Sequence, residues 1–150
     1  MVYILDTHVF IWALDGDKKL SKEAVEVIKN TDNTLYVSTI SLWEISIKRS
    51  LNKLDFQLSF QHMYEDMEYL QIGRLPLARK DLEILETLPF HHSDPFDRAV
   101  MSQAKAYEAV IITKDRVFPD YGLKTPLVSL MFFVQYKNLN CWYCLSSNYL

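Results

Sequence analysis

A chain of 150 residues, 49% hydrophobic and 23% charged, has the size and balance of a single globular domain with a full core. Three glycines and five prolines are too few for a loop-rich all-β fold or a disordered chain. A net charge of −3 excludes the global basic footprint of a duplex-DNA binder, so any nucleic-acid contact must come from a local patch. Two cysteines near the C-terminus make no disulfide framework, and no signal-peptide pattern opens the sequence, so a reducing, cytoplasmic setting is expected.

Residues 2–5 (Val-Tyr-Ile-Leu) form a short, unbroken apolar run, the pattern of a strand buried on both faces of a parallel sheet. The run ends in Asp6-Thr7, where open α/β sheets bind their ligands, beyond the carboxyl ends of the strands. Asp6 is equally suited to cap a short apolar helix over residues 7–14. Ser21 then caps a helix over 22–30, with Leu20, Ala24, Val27 and Ile28 at helical spacing. Residues 35–37 read as a second strand, and Ser38 or Ser41 caps the helix over 42–49 that follows. Leu42, Ile45 and Arg49 share one side of that helix, and Trp43 and Ile47 another. Glu44 follows the second strand as Asp6 follows the first, although most helix glutamates are solvated.

After a loop over 51–56, a helix over 59–70 (Phe60, Met63, Met67 and Leu70 inward), a strand over 72–75 and a helix over 78–88 (Leu82 and Leu85 inward) read as scaffold and lid. His91-His92-Ser93-Asp94-Pro95-Phe96-Asp97-Arg98 is denser in chemistry. Ser93 or Asp94 is a natural N-cap, with proline at the first position of a helix over 96–107 and Asp97 favoured in its first turn. Capping explains either aspartate, but two carboxylates beside two histidines exceed what capping requires. Adjacent histidines rarely point at one ion, so a surface pair or an RNA-phosphate contact is the better reading of His91-His92. Residues 109–112 repeat the opening grammar, an apolar strand that ends in Thr113-Lys114-Asp115. A turn over 118–122 and a last strand over 125–130 complete the reading.

Alternating strands and helices predict an α/β sandwich with a parallel sheet, whose carboxyl edge gathers Asp6, Glu44, Asp97 and Asp115. Carboxylates crowded into one crevice repel one another and call for a divalent cation. All-oxygen donors favour Mg²⁺ or Mn²⁺, ions suited to phosphodiester hydrolysis. The set Leu5-Asp6-Thr7, Trp43-Glu44-Ile45, Asp94-Pro95-Phe96-Asp97-Arg98 and Thr113-Lys114-Asp115 resembles PIN-domain nucleases, and in particular the VapC-type toxins of bacterial toxin–antitoxin pairs. The order and spacing of the motifs are specific together, and the resemblance covers residues 1–128.

The resemblance implies a three-layer PIN-like sandwich with a central parallel sheet flanked by helices. It also implies a Mg²⁺- or Mn²⁺-dependent endoribonuclease with Asp6, Glu44, Asp97 and Asp115 as its acids. Asp6 and Asp97 would hold the principal ion, with Glu44 and Asp115 completing the shell and Asp94 as an additional or capping acid. Asp97 fits the third-acid pattern through Ala99, Val100 and Ala104, and Asp94 does not. Thr7 and Thr113 become supporting residues, and Arg98 a phosphate contact or a pair for Asp94. Lys48, Arg49, Lys114 and Arg116 are candidate RNA contacts, each weighed against a solvated surface charge. The implied partners are an RNA substrate, a cognate antitoxin and a second copy of the chain, with no membrane involved. Phe10, Trp12, Trp43 and Ile47 are candidates for an antitoxin groove as well as for core.

Residues 129–150 lie beyond the resemblance, and their apolar run is too short to span a membrane. Cys141 and Cys144 have the spacing of half a zinc or redox site but lack its second half. Two rivals stand against the nuclease reading. A haloacid-dehalogenase-like phosphatase needs a second aspartate where the chain has His8, and a catalytically inactive PIN-fold module acting with a DNA-binding antitoxin would not need all four acids.

Overall fold

The computed structural model of the chain describes residues 1–124. The expected last strand, the 129–150 extension and the cysteine pair therefore lie outside the described residues. Among the described residues four strands, β1 (Val2–Leu5), β2 (Thr34–Ser38), β3 (Ile72–Leu75) and β4 (Val110–Ile112), form one parallel sheet in the order β3-β2-β1-β4. Six α-helices among the described residues surround it: α1 (Thr7–Asp15), α2 (Lys22–Lys29), α3 (Thr39–Ser50), α4 (Phe60–Tyr69), α5 (Arg79–Thr87) and α6 (Pro95–Ala106). A 3₁₀ turn over Phe118–Tyr121 stands where a turn is expected.

β1 lies between β2 and β4, so its side chains are buried on both faces by the pleat. Tyr3 and Leu5 enter a core with Val9 and Phe10 of α1, Ile28 of α2, Ile45 of α3 and the two α4 methionines, Met63 and Met67. Ile4 and Ile111 enter the opposite core, with Val100, Met101 and Ala104 of α6 and with Ile84 and Leu85 of α5. The result is the three-layer α/β sandwich that the alternating elements predict. Every residue of α1 except His8 and Asp15 is buried, which accounts for a helix apolar on nearly all sides. Phe10 and Trp12 are therefore core residues and present no groove.

Local chemistry fixes the helix ends. Ser21, Ser38 and Ser59 each accept a backbone N–H at the start of a helix, and Gly16 closes α1 in the left-handed conformation at φ 61°. Ser38, and not Ser41, caps α3, which starts three residues before the predicted 42 and buries Ser41. Leu82, expected in the core, is 49% exposed. α5 turns inward Asp81 instead, whose carboxylate accepts the Ala78 N–H at 2.8 Å, while Ile84, Leu85 and Leu88 supply the apolar face.

Gly73 of β3 faces Tyr36 of β2 in register, and a Cβ there would lie 2.7 Å from Tyr36 Cε1. Gly73→Ala should push the Tyr36 ring out of its packing and cost about 1–3 kcal/mol in urea unfolding. An unchanged midpoint would mean that the ring swings aside at no cost.

Candidate metal centre

The strand order changes direction between β1 and β4, because the chain winds outward through β2 and β3 and then returns to the other side of β1. The crevice outside the carboxyl ends of those two strands is where such sheets take ligands. Asp6 ends β1, and its N–H bonds to the carbonyl of Ile112 at the end of β4 (3.0 Å). Although Asp6 occupies the N-cap position of α1, its side chain makes no capping bond. Its Oδ2 accepts the Thr113 hydroxyl at 2.9 Å, and the same hydroxyl oxygen accepts the Asp115 N–H at 3.0 Å. One threonine thus joins the acid after β1 to the acid after β4.

Glu44 is 3% exposed, not solvated. Its Oε2 accepts the Thr7 hydroxyl at 2.6 Å across 37 residues of sequence, and its Oε1 pairs with the Lys48 ammonium one turn along α3. Asp97 arrives from the first turn of α6. Asp94 Oδ1 caps that helix, accepting the N–H groups of Phe96 (2.8 Å) and Asp97 (3.4 Å). Asp115 Oδ1 accepts the Val117 N–H at 2.9 Å, and its Oδ2 lies 3.5 Å from His92 Nε2.

The electrostatics record the convergence. Burial, and then the charges of Asp6, Asp94, Glu44 and Asp115, push the Asp97 carboxyl up from 3.8 to about 8. Burial also raises Asp6, opposed by the Thr113 hydrogen bond and the neighbouring His8, and reinforced by Glu44. Burial works against a charge on Lys48, yet the bond to Glu44 and the fields of Asp94 and Asp97 hold its ammonium above the ordinary value. Burial lowers His8, against the pull of Asp6. The donors facing the crevice are carboxylate oxygens in surplus over cations, which fits a hard divalent ion such as Mg²⁺ or Mn²⁺.

Not every sequence candidate joins this cluster. Arg98 is buried, and its guanidinium donates to the carbonyls of Pro89 (2.7 Å) and Leu88 (3.2 Å) and lies over the Phe90 ring. It is therefore neither a phosphate contact nor a side-chain partner of Asp94. Arg49 donates to the Leu58 carbonyl at 2.8 Å and bridges α3 to the segment before α4, which removes it from the RNA-facing set. Lys48 is committed to Glu44. Lys114 and Arg116 are exposed, Lys114 lying 5.2 Å from the Trp12 ring centre.

His92 was not singled out for the site by its sequence. The two histidines diverge: His91 is exposed and meets Tyr121 edge-on, whereas His92 turns toward Asp97 and Asp115. The available signal was their adjacency, since neighbours in an extended segment face opposite ways. Thr113→Val should weaken Mn²⁺ binding about tenfold, because the hydroxyl both restrains Asp6 and anchors the Asp115 backbone. Thr113→Ser should restore most of it in the same titration.

The PIN domain family profile matches residues 3–124. No match was found among curated proteins. Among solved structures, the chain is similar to one in the Rickettsia felis VapBC2 assembly bound to a promoter DNA fragment, with a TM-score of 0.62, 17% identity and coverage of 85% of this chain and 98% of that one. A chain of VapBC-1 from nontypeable Haemophilus influenzae gives a TM-score of 0.62 at 18% identity, again covering 85% and 98%. FitAcB from Neisseria gonorrhoeae gives 0.54 at 16% identity, covering 83% and 96%. At such identities the likeness is one of fold.

Proposed function

The chain belongs to the PIN-domain family, and from that premise we propose that it is a divalent-cation-dependent endoribonuclease, the toxin of a VapC-type toxin–antitoxin pair. The observation that carries the reading is the meeting of carboxylates from four separate elements, where burial and then the neighbouring charges push Asp97 up to about 8. Asp6 and Asp97 would hold the principal cation, Glu44 and Asp115 would complete the set, and Asp94 would act through its charge and its cap. The nuclease unit spans residues 1–128, a reading supported by the family match over 3–124.

A bound cation supplies Lewis-acid neutralisation for the phosphodiester and for the attacking water. The protein's part is preorganisation. Thr7 and Thr113 fix the Glu44 and Asp6 carboxylates, so neither needs to reorient when substrate arrives. Lys48 offsets the Glu44 charge from the solvent side. Asp97, raised to about 8, would have to give up its proton to hold a cation. Lys114 and Arg116, exposed beside Asp115, follow the RNA backbone.

The neighbours of like fold from Rickettsia and Haemophilus are VapBC assemblies, which supports an antitoxin partner here. Trp43, 57% exposed and edge-on to Phe96 at 5.4 Å, together with Ile47, is what remains of the expected antitoxin groove. A homodimer and a cytoplasmic setting belong to the same reading. No helix among the described residues is long and apolar enough to cross a membrane.

The test is cleavage of single-stranded RNA by the purified chain with Mg²⁺ or Mn²⁺, with and without EDTA, alongside Asp6→Asn. Cleavage that needs the ion and Asp6 supports the reading. Cleavage that survives EDTA, or an Asp6→Asn chain that keeps its cellular effect as an inactive binding module would, overturns it.

A further inference from the structure

His92 faces the acid cluster with one ring nitrogen and its own backbone with the other. Nδ1 accepts the backbone N–H of Asp94 at 2.9 Å. A backbone amide can only donate, so Nδ1 carries no proton, and the ring proton is on Nε2. An imidazolium would set two N–H groups against each other at that distance. Nε2 lies 3.5 Å from Asp97 Oδ2 and 3.5 Å from Asp115 Oδ2, equally far from both and too long for a hydrogen bond to either.

The three groups lie close enough to suggest ligation, with one donor atom from each within 4.8 Å of the others. The tautomer argues otherwise. The lone pair that a cation needs is on Nδ1, already occupied, while the atom facing the carboxylates presents a proton.

The ring is held there from behind. The His92 N–H donates to the Tyr121 hydroxyl oxygen at 2.7 Å, and Arg98 donates to the same oxygen at 3.4 Å. Arg98 is itself tied to the carbonyls of Leu88 and Pro89. The segment around Asp94-Pro95-Phe96-Asp97-Arg98 thus divides its labour. Asp94 caps α6 through its side chain and sets the imidazole through its N–H, Arg98 anchors the loop, and Asp97 enters the cluster.

We propose that His92 is a positioning residue whose Nε2–H, fixed by the Asp94 backbone, faces Asp97 and Asp115 at 3.5 Å and would donate to one of them once a small shift gathers both around a divalent cation, without ligating that cation. The role rests on the metal-site reading above. Outer partners of this kind orient acidic ligands, and their loss commonly weakens metal binding about tenfold or more.

The experiment has two arms, both on the full chain and neither reading activity. Two-bond ¹H–¹⁵N spectra of the metal-free and Mg²⁺-saturated protein should show His92 protonated at Nε2 and bare at Nδ1 in both. Mn²⁺ binding, followed by the EPR signal of the free ion, should be about tenfold weaker in His92→Ala and largely restored in His92→Gln, whose amide N–H reaches a similar point. Nε2 bare in either spectrum, or His92→Ala binding Mn²⁺ as tightly as the wild type, overturns the proposal. A wild-type chain that binds no Mn²⁺ would instead sink the metal-site reading, and this role with it. The spectra need only the wild-type protein, so poor folding of a variant leaves the proposal open to refutation.

Discussion

Asp97→Asn should abolish RNA cleavage and, in the absence of metal, yield a more stable protein. The catalytic loss should reach about 10³-fold, equivalent to about 4 kcal/mol, because the substitution removes an anionic ligand from the principal cation. The stability gain follows from the sign of the Asp97 shift. Its folded-state value, about 8, lies above the 3.8 expected when unfolded. Between those values the folded chain retains a proton that the unfolded chain has lost, so rising pH costs the wild type stability throughout that window. Asparagine carries no charge and escapes the cost. Thermal or urea unfolding at pH 8 in EDTA should therefore favour Asp97→Asn by on the order of 2 kcal/mol, below the full shift because cleft water screens part of the repulsion.

Asp94→Asn supplies the contrast. Asparagine caps a helix as well as aspartate does, so α6 should keep its start, and cleavage should stay within a few-fold of the wild type. If Asp94→Asn lost activity and Asp97→Asn kept it, the roles assigned to the two acids would have to be exchanged.

Much of this arrangement is legible before any coordinates, for reasons that differ by residue. The runs at Val2–Leu5 and Val110–Ile112 are short and uniformly apolar, the pattern of buried strands; β1 is central, and β4 pairs with it at the end of the described sheet. A carboxylate directly after such a strand has little freedom in where it can go, which is why Asp6 and Asp115 could be assigned to one edge. Glu44 needed its place one turn past β2, since its residue type argues for solvent. The Glu44–Lys48 pair was also within reach, as acid and base four apart on one helix face.

What stayed hidden depends on tertiary contacts. Thr7 meets Glu44 across 37 residues, and no local pattern encodes that bond. Leu82 looked like core because helical spacing fixes which residues share a face but not which face turns inward, and α5 buries Asp81 to cap itself. Arg98 reads as an RNA contact from its neighbours in sequence, yet two backbone carbonyls and a tyrosine hydroxyl take its donors. The His92 tautomer depends on an amide two residues away pointing back at the ring, which only a folded backbone can show.

The affinity for Mn²⁺ or Mg²⁺ should rise with pH by about tenfold per unit up to roughly pH 8, then level off. Below its raised value Asp97 is protonated, and a cation must displace that proton before the carboxylate can bind. One proton released per ion gives a slope of one in the logarithm of affinity against pH. Asp6, also raised by burial, steepens the slope wherever it too is protonated. The same linkage cancels the Asp97 contribution to the pH dependence of stability once the site is saturated. Without metal the wild type weakens as pH climbs toward 8, whereas with ion at about 100 times its dissociation constant it gains about 2.7 kcal/mol. Asp97→Asn should lose the part of both trends that Asp97 contributes, because that position has no proton to exchange and offers one fewer anion to the cation. Calorimetric titration from pH 6 to 9, with melting curves at matched pH, measures both. An affinity flat across that range would mean that the carboxylates are already ionised before the metal arrives, and that their crowding is not what prepares the site.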